Sequence, residues 1–194
     1  MHKLNATPKP GLASLVGRPL LAGAIAAGAA APGGALADVF LKLTGIPGES
    51  TDAKHKGEIE ILSYTQSFKN PATPFGGGGG SAGKVECGEV TVLKNIDASS
   101  PGLIKSVTTG KRIDEAVLTF RTAGRAQFEY YKVTLKEVFI TAIDQSDQQD
   151  PARIVERVQL TSATFKFEYR QQKGDGSLGS PVEASWDCKA NRSE

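Results

Sequence analysis

Between Asp38 and Lys189 apolar and polar residues alternate with a period of two over most of the chain, the pattern of strands with one face toward a core. Val39, Leu41 and Leu43 alternate with Phe40 and Lys42 and predict a first strand over Asp38–Thr44. Turn residues from Gly45 to Ser50 break it, and a polar loop runs on to Gly57. Strand character returns over Glu58–Phe68, Val85–Ile96, Val117–Arg121, Phe128–Ile143 and Arg153–Arg170. A turn at Lys173–Gly176 leads to a closing strand at Val182–Lys189. Within Arg153–Arg170, Ile154, Val158 and Leu160 share one parity, while Ala163, Phe165, Phe167 and Tyr169 share the other. A strand that changes its apolar face needs a bulge or sharp bend, here near Thr161–Ser162. Long bent strands curl a sheet, so the pattern predicts a mainly β protein, a β-barrel of two curled antiparallel sheets.

One helix interrupts the strands. Ser100 is a candidate N-terminal cap, Pro101 suits the first helical position, and Leu103, Ile104 and Val107 share a face. Gly110 is placed to end the helix in a left-handed conformation, with Lys111 and Arg112 near the negative end of its dipole. This short helix is expected to flank the barrel. The five consecutive glycines Gly76–Gly80 lie in a loop over Pro71–Gly83, where an exposed, mobile segment is expected.

Composition changes the picture mainly at the start of the chain. Residues 1–37 hold Lys3, Lys9 and Arg18 with no acidic residue, then an Ala- and Gly-rich apolar stretch, then Ala35-Leu36-Ala37 before Asp38. That three-part order is the form of a signal peptide, and the apolar stretch is too short to anchor in a membrane. A disordered tail, or a start upstream of the true one, fits the same composition. The organisation is thus a leader or tail over 1–37 and one β domain over 38–194. A cleaved leader would place the domain outside the cytoplasm. The formal charge is +2, and removing the three leader cations leaves a domain near neutral without a basic cluster. Nucleic-acid binding and membrane insertion are therefore not expected.

No motif for catalysis survives inspection. Gly78–Lys84 matches the glycine-lysine part of a phosphate-binding loop, but Val85 stands where Ser or Thr should hold magnesium, and a strand follows instead of a helix. His55 is the only histidine after the leader, lies in the polar loop without ligand-spaced neighbours, and is expected at the surface or an interface. Asp144, Asp147 and Asp150 recur every third residue after a strand but lack calcium-loop spacing, and a solvated turn is expected. Neither a cofactor nor a metal is expected. Cys87 and Cys188 both fall in predicted strands, where one disulfide and two buried thiols are both admissible.

Several ordered segments carry a resemblance: Phe40-Leu41-Lys42-Leu43, Ile46-Pro47-Gly48-Glu49-Ser50 with Asp52 and His55, and Gly57–Tyr64. Lys132–Lys136, Phe165–Tyr169 and Ser185-Trp186-Asp187 with Asn191 follow in order. From Asp38 onward the chain resembles the Hcp family, the haemolysin-coregulated proteins of the type VI secretion inner tube. The resemblance implies a β-barrel with one attached helix and no active site. It also implies self-assembly into hexameric rings that stack into a tube and carry effector proteins, alongside other type VI secretion components as partners. Gly48, Glu49, Ser50, Asp52 and His55 become candidate contacts between subunits or rings, although a loop of this composition also suits plain solvation. Two features depart from the family: the glycine run, and the leader, which a tube assembled in the cytoplasm does not need. The competing expectation is an exported monomeric barrel that binds a small ligand or glycan. A hydrolase would require catalytic groups converging on His55.

Overall fold

The computed structural model describes residues 38–71, 84–123, 127–147 and 154–193. The leader, the glycine run, Asp150 and most of the Gly78–Lys84 motif lie outside the described residues. Within them the protein is an antiparallel β structure with one helix.

Strand β1 (Asp38–Leu43) turns Leu41 and Leu43 into the core, and its neighbour β7 (Ile113–Arg121) supplies Ala116, Leu118 and Phe120. The sheet continues through β8 (Glu129–Ser146), β9 (Val155–Gln172) and β6 (Val90–Asn95). The predicted strand Glu58–Phe68 is divided. Its first part, β2 (Ile59–Ile61), pairs with β1, and its second, β3 (Ser63–Thr65), pairs with β6. Only Leu62 separates them, its side chain exposed and its N–H donated to Leu93 O at 2.7 Å. The path β2-β1-β7-β8-β9-β6-β3 thus begins and ends in one chain segment, and the sheet curls onto itself around the core.

The face change expected in one strand occurs in two. In β8 the core positions pass from Val133 and Leu135 to Val138 and Ile140, and in β9 from Val158 and Leu160 to Ala163 and Phe165. Glu137 stands between the pairs Lys136↔Thr164 and Val138↔Ser162 and takes φ 51°, a left-handed backbone uncommon outside glycine. Buried Ser162 donates its hydroxyl to Lys136 O at 2.7 Å, satisfying a carbonyl at the bend. A register shift follows in β8 between Ile140 and Ala142. Beyond the bend β10 (Leu178–Asp187) pairs with β9, but Tyr169, expected in the core, is 48% exposed.

The predicted strand Val85–Ile96 is also interrupted. β5 (Glu86–Cys87) pairs with β4 (Phe68–Lys69) in a separate two-stranded sheet, and Gly88 and Glu89 part it from β6. Cys87 and Cys188 form a disulfide with Cα atoms 6.2 Å apart, tying β5 to the residue after β10. Val85 N–H donates to Asn191 Oδ1 at 2.8 Å beside it.

Helix α1 (Ser100–Thr109) starts differently from expectation. The N-cap is Ser99, which makes no side-chain cap bond; just before the helix Asp97 Oδ1 accepts the Ser99 N–H at 2.8 Å, while Ser100 Oγ accepts the Asp97 N–H at 3.1 Å. Gly110 ends the helix at φ 62°, as the sequence predicts, but Ile104 is exposed and Leu103 and Ser106 form the buried face. Ser100 is occupied from below. Lys94 and Glu156 face each other in the β6–β9 ladder, fully buried, with Nζ 2.8 Å from Oε2. Lys94 also reaches Asp97 at 2.8 Å, Ser100 donates to Glu156 at 2.6 Å, and Gln145 donates to its other oxygen at 2.6 Å. Burial pushes the Glu156 carboxyl up, but the bonds from Lys94, Ser100 and Gln145 outweigh it and leave it below the ordinary range.

Two outcomes follow for stability, both read by urea unfolding. Replacing Lys94 alone by Met strands the buried Glu156 carboxylate and is expected to cost about 3–5 kcal/mol, whereas Lys94→Met with Glu156→Leu restores most of the loss. An unperturbed single variant would mean that water reaches the pair. Replacing both cysteines by Ser opens a loop of 101 residues and is expected to cost about 4–5 kcal/mol on the chain-entropy scale.

Candidate functional site

The loop after β1 folds back on the barrel's outer face, and each turn of it has an identifiable cause. Gly45 and Gly57 take φ 81° and 73°. Gly48 passes so close to the other limb that an added Cβ would meet Glu58 O at 2.4 Å. That approach lets Gly48 N–H donate to Gly57 O at 2.8 Å and Ser50 N–H to Glu58 O at 3.0 Å. Gly57 N–H returns a bond to Ser50 O at 2.8 Å, so the limbs form a small ladder.

Two polar anchors fix this ladder to the strands. Phe40, on the face of β1 opposite Leu41, is stacked by His55 with ring centroids 4.2 Å apart and planes 8° from parallel. His55 is buried within the chain, which corrects the surface alternative of the sequence expectation. Its Nδ1 lies 2.9 Å from Glu58 Oε2, and its Nε2 lies 3.6 Å from Glu129 Oε1. The second anchor is Arg121, 4% exposed at the end of β7. Its Nη1 donates to Asp52 Oδ2 and its Nη2 to Asp38 Oδ2, both at 2.8 Å, and its Cζ lies 4.9 Å from the Phe40 ring centroid. Asp52 Oδ1 meanwhile accepts the N–H groups of Lys54 at 2.9 Å and His55 at 3.2 Å. The Arg121 bond and these N–H donors hold the Asp52 carboxyl below its usual range. Burial works against the Arg121 charge, but hydrogen bonds to Asp38 and Asp52 raise its pKa.

The five candidate contact residues therefore sit in one loop with different tasks. Gly48, Ser50, Asp52 and His55 shape and anchor it. Glu49 is exposed and accepts the Ala98 N–H at 3.0 Å, joining the loop to the approach of α1. Sequence inspection missed Phe40, Arg121 and Glu58 as anchors. A signal existed for Phe40, an aromatic residue at a position whose strand parity is polar. Asp144, read as part of a loop, lies inside β8 opposite Arg157. Among the described residues no His, Cys, Asp and Glu side chains gather in a group suited to a metal ion. Nor is any helix there long and apolar enough to cross a membrane.

The anchors set two expectations. Gly48→Ala is expected to lower stability by about 1–3 kcal/mol through overpacking against Glu58 O and to speed amide exchange at Ser50 and Gly57. Because the folded Asp52 pKa is lowered, its stabilising share is complete above the ordinary value of about 3.9 and is lost as pH falls through the folded value. The protection factors of the loop amides are therefore expected to fall below about pH 4 in the unmodified protein. In Asp52→Asn they are expected to be low at neutral pH already and to change less on acidification.

Comparison with known proteins places this geometry among relatives. Residues 40–169 match the family model described as type VI secretion system effector, Hcp. Protein hcp1 of Pseudomonas aeruginosa is 36% identical over 156 residues, a stretch that covers 79% of this chain and 96% of that protein. The crystal structure of Hcp1 from Salmonella typhimurium superposes with a TM-score of 0.69 at 35% identity, covering 81% of this chain and 99% of that one. A structure titled as a type six secretion system protein superposes at 0.77 with 25% identity, covering 82% and 100%.

Proposed function

The chain belongs to the Hcp family of the type VI secretion system, and from that membership we propose that it works as a structural subunit, assembling into hexameric rings that stack into a tube and carry effector proteins. The observation that carries this reading is the extent of the family match, which runs from β1 through most of β9 and includes the anchored loop. The loop supports it as well. Its backbone polar groups are spent on itself and its side chains on the barrel, so it presents Glu49, Thr51 and Lys54 from a fixed base. Gly48, Glu49, Ser50, Asp52 and His55 are then the segment through which one subunit meets a neighbour or the next ring, with four of them holding the shape that is recognised. A pre-ordered loop loses less conformational freedom on association than a mobile one. The part requires no chemistry of the chain, and the protein acts as scaffold and conduit rather than as an enzyme. Secretion through that machinery places the assembled protein outside the cell. The leader is either removed or kept as a tail on the subunit.

Light scattering and electron microscopy of the purified full chain test this. A mass of six subunits and rings with an open lumen are the expected result. A monomer at every concentration would overturn tube assembly as a property of the chain. Intact mass on the same sample reads the leader: cleavage after Ala37 gives a chain starting at Asp38, the first residue of β1.

A further inference from the structure

The barrel strands β3 and β6 run on past their own pairing into the small sheet of β4 and β5. Thr65 pairs with Thr91, Gly88 N–H donates to Ser67 O at 2.8 Å, and Phe68 and Lys69 then face Cys87 and Glu86. Among the described residues no further strand flanks this ribbon, and an isolated two-stranded ribbon is marginal by itself. Its Lys69 and Glu86 are exposed, while Phe68 packs edge-on against Phe165 and Phe167 of β9, with ring centroids 5.1 and 5.7 Å away. Through Phe68 the ribbon covers the aromatic face that follows the bend of β9.

The disulfide joins two partners with unequal support. Cys188 stands on a segment that is fixed without it. Its N–H donates to Ala163 O and the Asp187 N–H to Arg192 O, both at 2.8 Å. Asp187 Oδ1 also accepts the N–H groups of Lys189 and Ala190, at 2.8 and 2.7 Å. Cys87 has less behind it. Besides the disulfide, the ribbon is tied to this segment by the Val85 N–H on Asn191 Oδ1 and to β9 by the Phe68 ring. Both cysteines are half-buried, so neither sulfur is sealed in the core.

We propose that the Cys87–Cys188 disulfide is a thiol-exchange site that latches the β4–β5 ribbon over Phe165 and Phe167, and that reduction releases the ribbon while the barrel and the Cys188 segment keep their places. The thiolate of a small external thiol attacks one sulfur, forms a mixed disulfide with it and expels the other as a thiolate. A second external thiol attacks the mixed disulfide, so that Cys87 and Cys188 end as thiols and the two external thiols leave as one disulfide. A small disulfide of the same class reverses the step. In a reducing cytosol the ribbon stands open and the two rings are uncovered; in an oxidising medium it is shut. The latch is independent of whether copies of the chain assemble.

Hydrogen exchange read by mass spectrometry tests the latch, on the full chain before and after treatment with dithiothreitol in the absence of denaturant. Reduction is expected to lower the protection of residues 84–89 by about tenfold or more, while residues 187–192 and the barrel strand β6 keep theirs. Reoxidation with a small disulfide should restore the first pattern. The double variant Cys87→Ser with Cys188→Ser is expected to show the open pattern without reductant and to ignore its addition. If residues 84–89 keep their protection in the reduced chain, Phe68 packing alone holds the ribbon and the latch is wrong. If residues 187–192 and β6 lose protection in step with the ribbon, the disulfide staples the whole fold, and the latch is equally wrong. A disulfide that yields to the thiol only after unfolding in urea overturns the exchange site.

Discussion

The constraint on which the rest depends is that β2 and β3 are one residue apart in the chain yet stand at opposite ends of the strand order. A flat sheet cannot satisfy both pairings. Ile59 and Ile61 face β1 while Tyr64 pairs with Val92, so the intervening sheet has to curl until its ends reach Leu62. Curling is permitted by the matched face change of β8 and β9, where Glu137 accepts a strained backbone and Ser162 takes up a carbonyl at the bend. Curling brings the two end strands together at Leu62, whose N–H is donated to Leu93 O. It also brings β2 beside the root of the loop, which is why the loop's returning limb, ending at Glu58, runs straight into a strand already fixed in the barrel.

Closure also creates the protein's two charged anchors, and they differ in kind. Lys94 and Glu156 are a cross-strand pair inside the wall, where desolvation opposes ionisation and only saturation with partners makes it tolerable. Ser100, Asp97 and Gln145 supply that saturation, and two of them belong to the start of α1. The pair therefore fixes where the helix begins as well as linking two strands. Arg121 works on the outer face, holding a strand terminus through Asp38 and the loop through Asp52. It determines a position more than it adds stability, because Asp38 remains nearly half exposed to water.

The legibility of this fold in the sequence followed the strength of the local pattern. Strand alternation identified a mainly β barrel, and the parity change in β9 located its bend. Three things stayed hidden because they depend on distant partners. The break at Leu62 carries no turn residue, since it is dictated by two neighbours that are far apart in sequence. The helix cap looked like Ser100 because a side-chain oxygen precedes Pro101, but that oxygen is engaged by Glu156, and the N-cap position falls on Ser99 without a side-chain cap bond. His55 read as a surface or interface residue because its neighbours are polar, and only Phe40 across the loop explains its burial. Lys94 was more accessible to inspection: Val90, Val92 and Lys94 share a parity, and so do Glu156, Val158 and Leu160. A charge at a core parity in each of two strands is a signature of a buried rung.

A tube subunit has to reconcile a stable barrel with a surface that repeatedly meets copies of itself. The arrangement of polar groups separates the two needs. Where charges maintain the fold they are paired within the chain, as at Lys94, Glu156, Arg121, Asp52 and Asp38. Among the described residues Lys42, Lys54, Lys56, Asp144 and Asp147 are exposed and make no ion pair. Had the loop been held by Lys54 or Lys56, those cations would have been spent on the fold. Because His55 and Asp52 hold it instead, the lysines beside His55 can be neutralised or bared with little effect on the anchor beneath them. Surface charge can then respond to salt and to neighbours, while the loop that displays it keeps one shape.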